Sequence, residues 1–414
     1  MAPIRRGRVA VIGAGPAGMA TALSVHQAGH DVVLLERYPQ ARAAGNILNL
    51  WPPPIKALGL MGVDIDDIGS PCYTEFRNLA GHRRVAVNLP DDIVREYGGG
   101  FVGLLRPALY ERLLDALPPG VLQVNRRVDS FDQDETGVRL HLADGDVHEC
   151  DVLIGADGID SMVRRTLWGA TPKREHNLHI FGGFVLDSDI ETAQQGRCIL
   201  THSRTTQGAW TSIRHKGRDG FQWWVLTAHD ASQEFTADLH ATATALGSEF
   251  PSPLPELIAA TDPADVQRWQ LRDRKPLKQW SKGRVTMAGD AVHPTSPYAA
   301  YGAGMATEDG YFIGRHLAGV DLRDHAAVRR ALHAYETPRK PHTARQSQQA
   351  FILGKVFHHA PRPLQVVRDL ILDHTPLLQK VVGEASPGEI LKQLTEIDAA
   401  EQAFAAAGGR KTAE

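Results

Sequence analysis

The sequence is short of cysteine. It has 3 among 414 residues, and Cys72, Cys150 and Cys198 are odd in number and far apart. There is no CxxC pair and no Cys/His cluster with zinc spacing, which excludes a zinc ribbon. No closely spaced even set exists to form a disulfide framework, so a reducing, cytoplasmic setting is expected. An excess of charge is missing too: 45 Lys and Arg against 48 Asp and Glu leave a net charge of −3. Nothing electrostatic therefore points to nucleic acid or an anionic membrane as partner. Long apolar runs are also lacking. The uncharged stretch 9–25 follows Arg5, Arg6 and Arg8, but Gly13, Gly15, Pro16 and Gly18 interrupt it, and it is marginal in length for a span or a signal core. Internal repeats and low-complexity linkers are absent. With 43% apolar and 22% charged residues, a chain this long can bury a large core without staples.

What is present is glycine in a telling order. Residues 8–12 (RVAVI) read as a short buried strand, and 13–18 (GAGPAG) match GxGxxG. Residues 16–28 read as a helix closed by Gly29, and 31–35 (DVVLL) as a second strand ending on Glu36. This is the strand–helix–strand order that a dinucleotide fingerprint requires. Gly13 permits the tight turn, Gly15 lets the backbone approach a pyrophosphate, and Gly18 lets helix and strand pack closely. The anion sits at the helix N-terminus, facing free N–H groups. Glu36 is placed to accept hydrogen bonds from an adenosine ribose. The fingerprint does not separate NAD from FAD.

Two later motifs share its style. Residues 150–158 (CDVLIGADG) are an apolar strand entering a polar glycine turn, with Ser161, Val163, Arg164 and Arg165 on a following helix. Residues 283–294 (GRVTMAGDAVHP) are another strand ending in Gly-Asp, followed by Pro297, then Gly302-Ala303-Gly304 and a helix over 305–317. Strand-end glycines beside an acid suit binding of a ribityl or ribose hydroxyl close to the backbone.

With these motifs in this order, the sequence resembles the class A FAD-dependent aromatic monooxygenases, in the salicylate-hydroxylase-like branch with the p-hydroxybenzoate-hydroxylase fold. The likeness covers nearly the whole chain. It rests on GAGPAG with Glu36, Gly45 and the apolar stretch after it, Arg106 opening RPALYERLLDAL, GADGIDSMVRR at 155–165, the run 272–294 and YGAGMATEDG at 301–310. The resemblance implies an α/β fold: a Rossmann-like FAD-binding domain, an inserted antiparallel-sheet substrate domain and a C-terminal helical segment. It implies FAD bound by Gly13, Gly15, Pro16, Ala17 and Gly18, by Glu36 with Arg37, and by Gly45, Arg106, Asp157 and Asp290. Pro297, Gly302, Ala303 and Gly304 would lie beside the isoalloxazine. NADH or NADPH would be the cosubstrate, bound without a second Rossmann domain, and no second GxGxxG occurs. The implied chemistry is reduction of FAD, capture of O2 as a flavin hydroperoxide, and delivery of one oxygen atom to an electron-rich ring.

Between the Asp157 and Asp290 motifs, strands are expected at 177–186, 197–202, 209–215 and 221–227, a spacing that reads as an antiparallel sheet. A helix is expected over 233–246, with Phe235, Leu239 and Leu246 on one face. The domain boundaries follow as 1–71 with 101–175 and 273–340 for FAD, 72–100 with 176–272 for substrate, and 341–414 for C-terminal helices and a fraying tail from Ala405. The helices after Ala326 are expected to break at Pro338, Pro341, Pro361, Pro363 and Pro376. The substrate belongs near 46–49, with Phe181, Phe184, His202, Trp210, Trp224, Tyr298 and Tyr301 as lining candidates. His202, His293 and Tyr301 are the candidates for accepting a proton from a phenol or amine.

Two departures from the family pattern bear on the substrate. Tyr301 and Gly304 stand where the family often has Gln and Asn in its flavin loop, and the first inserted strand, with Phe181-Gly182-Gly183-Phe184, lacks an arginine found in many relatives. The expected partner is a small aromatic molecule, phenol-, aniline- or indole-like, and these departures lean toward a larger, apolar member of that class such as a specialised metabolite. A carboxylate would need another cation such as Arg214. No nucleic acid, membrane or metal is expected, and a monomer or homodimer is. The alternatives are an epoxidase or oxidase of a specialised metabolite, or a FAD-binding sensor without turnover. A halogenase is disfavoured because no WxWxIP segment occurs.

Overall fold

The computed structural model describes residues 7–42 and 45–409. Five short strands form a parallel sheet in the order β17 (Val285–Met287), β11 (Val152–Gly155), β1 (Arg8–Ile12), β2 (Asp31–Leu35), β7 (Leu122–Gln123). The three central strands are runs of Val, Ile, Leu and Ala because helices and loops cover both sheet faces. Helix α1 (Pro16–Gln27) crosses from β1 to β2 and packs against α8 (Gly302–Leu317). The register pairs Ile12 with Leu35 and with Gly155, and Gly155 with Met287. The turns after β1, β2, β11 and β17 therefore open at one carboxyl edge, where open α/β sheets bind ligands. Backbone crowding there explains the glycines. Gly13 has φ +99°, and a Cβ on it would lie 2.5 Å from the Ala156 carbonyl oxygen; a Cβ on Gly18 would lie 1.8 Å from the oxygen of Gly13. A three-stranded antiparallel sheet, β8 (Val128–Gln133), β9 (Val138–Leu142) and β10 (Val147–Cys150), leads into β11.

The second layer is a nine-stranded sheet. Its path runs β16 (Gln267–Asp273), β12 (Arg174–Leu186), β15 (Arg218–Ala228), β14 (Gln207–His215), β13 (Arg197–His202), β4 (Ser70–Asn78), β6 (Phe101–Leu105), β3 (Ile47–Leu50), with β5 (Arg83–Ala86) pairing β4. It is antiparallel except for the parallel β13–β4 pair. The two-residue period divides neighbours between faces. Phe181 and Trp223 pack outward against α7 (Leu254–Ala260), whereas Ile180 and Trp224 face inward. Helices α2 (Pro52–Leu60), α3 (Asp91–Tyr97), α4 (Arg106–Ala116), α5 (Met162–Trp168) and α6 (Leu239–Gly247) fill the connections. Helices α9 (His325–His358), α10 (Arg362–His374) and α11 (Ala385–Ala406), with a π-type turn at Gln379–Glu384, close the molecule.

The observed strands match the expected inserted set to within four residues at each end. Three helical expectations change. The helix expected over 233–246 starts at Leu239, because the Asp238 carboxylate accepts the Ala241 N–H at 2.7 Å and fixes the first turn there. Helix α8 starts at Gly302, three residues early. Pro338 and Pro341 do not break α9, which runs straight through both. Each proline forfeits a backbone hydrogen bond, but the surrounding turns bury Tyr335, Glu336, Arg339, His342 and Thr343, and that packing holds the helix. Helix α11 continues to Ala406, and 410–414 lie outside the described residues. All three cysteines are buried and free. Among the described residues no helix is long and apolar enough to cross a membrane.

Candidate active site

A cavity of about 700 Å³ runs from the glycine turn to the inner face of the large sheet. Two helices point bare N-termini into it. Helix α1 is capped by Gly15 and α8 by Tyr301, neither with a side-chain hydrogen bond, and Gly15, Pro16, Ala17, Gly302 and Ala303 border the cavity. Unpaired N–H groups and the positive ends of both dipoles thus face one space, a cradle for a group carrying anionic oxygens at two points. Arg106 opens α4 at the same rim, and its Nε is buried without a partner. Asp290 opens into the cavity with no ion-pair partner among the described residues; the low-dielectric wall pushes its carboxyl up, against the pull of His293 and Arg106. Bare donors at two helix ends, a guanidinium with a free Nε and a lone acid fit an extended dinucleotide such as FAD.

The other expected cofactor residues stand around this rim. Glu36 accepts the N–H of Ala14 through one oxygen and that of Tyr38 through the other, both at 2.9 Å, which pins the glycine turn to the end of β2. Arg37 lies beside it, over the Tyr38 ring. Gly45, at φ +105°, backs onto Trp269, which borders the cavity. Asp157 turns away to cap α5 at the Met162 N–H, 2.7 Å, leaving Oδ1 without a partner. Pro297 borders the cavity and opens a short 3₁₀ turn that ends on Ala300 at φ +49°.

The two altered loop positions are one packing unit. The Tyr301 ring stacks on Trp51 at 5.0 Å, and a Cβ on Gly304 would lie 2.7 Å from that ring. A tyrosine at 301 thus demands glycine at 304. Its hydroxyl donates to Glu308, which with Asp309 clasps Arg339 of α9 at 2.8 and 2.9 Å. Burial alone disfavours the Arg339 charge, but Asp309 and Glu308 outweigh it and raise its pKa. His293 belongs to this cluster, not to the cavity: its Nε2 lies 2.5 Å from Asp309 and its Nδ1 has no partner. Tyr301 and His202 border the cavity, but Tyr301 is engaged by Glu308 and His202 by Gln207 and Tyr298.

Beyond the rim the cavity becomes a chamber walled by Ile180, Leu226, Trp224, Trp269, Phe76 and Phe357. One polar string crosses it. Trp224 Nε1 donates to Gln207 Oε1 at 3.2 Å, Gln207 Nε2 lies 2.8 Å from His202 Nε2, and the Tyr298 hydroxyl lies 3.1 Å from the same nitrogen. Of the expected lining, Phe181 and Trp210 sit in the outer core and Phe184 does not border the cavity. Arg214 is on the surface, paired with Asp219 at 2.7 Å. Gln207, Trp51 and the Glu308–Asp309–Arg339 clasp were not singled out from sequence. The two acids sit within the quoted YGAGMATEDG stretch, where consecutive carboxylates on an otherwise apolar helix were the available signal.

Comparison with known proteins agrees with this geometry. A family model described as an FAD binding domain matches residues 104–350, and one for pyridine nucleotide-disulphide oxidoreductases matches 7–106. The 6-hydroxynicotinate 3-monooxygenase of Bordetella bronchiseptica is 32% identical over 82% of this chain and 89% of its own. The 3-amino-4-hydroxybenzoate 2-monooxygenase PtnB3 of Streptomyces platensis is 30% identical over 88% and 92%. Klebsiella pneumoniae HpxO, solved with FAD and uric acid, shares the fold at a TM-score of 0.80 and 23% identity, covering 93% of this chain and 97% of that one. A salicylate hydroxylase substrate complex does so at 0.71 and 20%, covering 93% and 98%. The fold and cradle define a flavoprotein oxidoreductase. The chain belongs to the class A FAD-dependent aromatic monooxygenases, enzymes that use NAD(P)H and O2.

Proposed function

We propose that this enzyme uses NADH or NADPH and O2 to insert one oxygen atom into the ring of a small phenol-, aniline- or indole-like molecule. The observation that carries this reading is the continuity of the cavity: two bare helix N-termini at one end and an aromatic-walled chamber at the other. FAD, when bound, supplies the activation of O2.

The chain's own residues do the rest. Backbone N–H groups of Gly15 and Ala17 take the pyrophosphate, with Pro16, which has no N–H, opening the helix and Gly13 and Gly18 shaping the turn. Glu36 keeps lone pairs for the adenosine ribose beside Arg37. Arg106 reaches the phosphates or ribityl chain, and Asp290 the ribityl hydroxyls. Gly302, Ala303 and Gly304, with Pro297, form the surface against the flavin ring, and Gly45 and Asp157 hold the flanking turns. Segments 72–100 and 176–272 supply most of the chamber's sheet wall, while 1–71, 101–175 and 273–340 supply the cofactor cradle. The apolar wall excludes water and orients the ring.

The test is NAD(P)H oxidation by the purified yellow protein in air, with and without phenols, anilines and indoles, under labelled O2. Ligand-stimulated oxidation with one labelled oxygen in the product is expected. An unlabelled, dehydrogenated product formed with release of H2O2 and no NAD(P)H consumption would instead identify an oxidase.

A further inference from the structure

The polar string in the chamber has a fixed hydrogen-bond direction. An indole N–H only donates, so the oxygen of Gln207 is the atom that meets Trp224, and its amide nitrogen donates to His202 Nε2. That nitrogen is then an acceptor and the ring proton lies on Nδ1. A neutral imidazole has one lone pair there, and Gln207, at 2.8 Å, takes it ahead of Tyr298 at 3.1 Å. Tyr298 is left competing, at the longer distance, for a lone pair that Gln207 already takes, so its hydroxyl proton is available to a ligand on a side chain that borders the cavity. His202 is buried between Phe76 and Phe357, and burial keeps its pKa well below the ordinary value. It orients and does not accept the proton of a substrate.

The second observation is the placement of cations. The arginines that border the cavity are Arg106 at the glycine-turn end, Arg345, paired with Glu389 at 3.2 Å, and Arg272, exposed on the edge strand β16. Arg84 and Arg368 stand behind the His202 wall. Arg84 is tied to Asp373 through Nε while its Nη1 has no partner, and Arg368 is tied to Asp369 and the carbonyls of Arg204, Val356 and Phe357. No lysine borders the cavity among the described residues. A carboxylate placed against Trp224 and Tyr298 would be desolvated with no cation beside it on the chamber surface, Arg84 and Arg368 acting only through the wall.

We infer that Tyr298 is the specificity-determining residue of the chamber, donating one neutral hydrogen bond to a substrate that carries an uncharged acceptor, such as a ketone, amide or quinone oxygen, in place of a carboxylate. This rests on the hydroxylase reading above and narrows it. It also separates the chain from relatives whose named substrates are hydroxybenzoates and a hydroxynicotinate.

The experiment titrates the FAD-loaded enzyme with matched probes, 3-hydroxybenzamide against 3-hydroxybenzoate and 4-hydroxyacetophenone against 4-hydroxybenzoate, following the visible flavin spectrum. The neutral member of each pair is expected to bind about tenfold or more tightly than the acid. Tyr298→Phe is expected to remove about tenfold from the neutral probe and nothing from the acid, with FAD retention and melting temperature unchanged. Gln207→Leu returns the His202 lone pair to Tyr298 and should reproduce that loss, and the double variant should be no worse than Tyr298→Phe alone. Acids binding as tightly as their neutral partners, an unchanged ratio in Tyr298→Phe, or binding by neither probe overturns the inference. Labelled-oxygen incorporation is read in parallel. Its absence overturns the hydroxylase reading, while the affinity ratio still decides the role of Tyr298.

Discussion

The cofactor rim and the substrate chamber share one cavity but are made of different material. The rim is backbone: N–H groups at two helix ends and turns so tight that a Cβ would collide with a carbonyl. The chamber is side chain: rings and amides from β4, β12, β13, β14, β15 and β16, the 297–300 turn and α9. A backbone site fixes residue type through sterics, so it tolerates little change and binds the same group throughout a family. A side-chain site is free to vary and sets what is oxidised.

That contrast can be broken or sharpened by substitution. The largest effect is expected where the regions are joined. Arg339→Met leaves Glu308 and Asp309 buried without a counter-charge, at a cost of about 3–5 kcal/mol, and it should lower the melting temperature and release FAD together; an unchanged melting curve would show that the clasp does not join them. Acid titration comes next. His358, on the chamber side, is held at a pKa of about 4 by burial against 6.5 in the free side chain. The unfolded chain therefore binds this proton first, and stability should fall as pH drops from about 6.5 to 4, by up to about 3 kcal/mol. Denaturation at pH 7 and 4.5 checks this, and His358→Gln should flatten the slope.

Arg106→Met should weaken FAD about 10–100-fold by removing charge-assisted bonds. Equilibrium dialysis measures it, and an unchanged folded-state circular dichroism spectrum would keep the effect at the rim. Gly304→Ala should cost about 1–3 kcal/mol of stability by overpacking the Tyr301 ring. Tyr301→Leu in the same chain should recover most of it, whereas two independent losses would separate the positions. The smallest effect is expected at Arg214, whose exposed pair with Asp219 is worth under about 1 kcal/mol; Arg214→Gln should leave probe affinities alone.

Legibility followed the same division. Strand β1, helix α1 and strand β2 were readable to within a residue because glycine spacing, apolar runs and a closing Gly29 are local signals. The strands of the inserted sheet were readable from spacing, but their faces were not, so Phe181 and Trp210 were placed in the chamber when the pleat turns them to the outer core. His293 follows the Gly-Asp turn directly, yet the turn aims it at Asp309, a residue 16 positions later. Helix α9 overrides two prolines through packing that no local rule reports. In the Trp224–Gln207–His202–Tyr298 string, His202 and Gln207 pair across the β13–β14 hairpin and Trp224 lies on the next strand, but nothing in the spacing brings Tyr298 to them.

The strand that completes the parallel sheet, β17, and the helix whose first turn opens onto the cavity, α8, both follow the entire insertion in the chain. A ribosome making this protein has emitted every residue of the large sheet before either exists. The glycine turn at 13–18, synthesised first, waits longest for its neighbours, and the flank of β11 stays an open edge until residue 285 emerges. Contacts this distant in sequence fold slowly. The cradle that FAD needs is therefore complete only late in synthesis, and added flavin during expression should raise the yield of native protein.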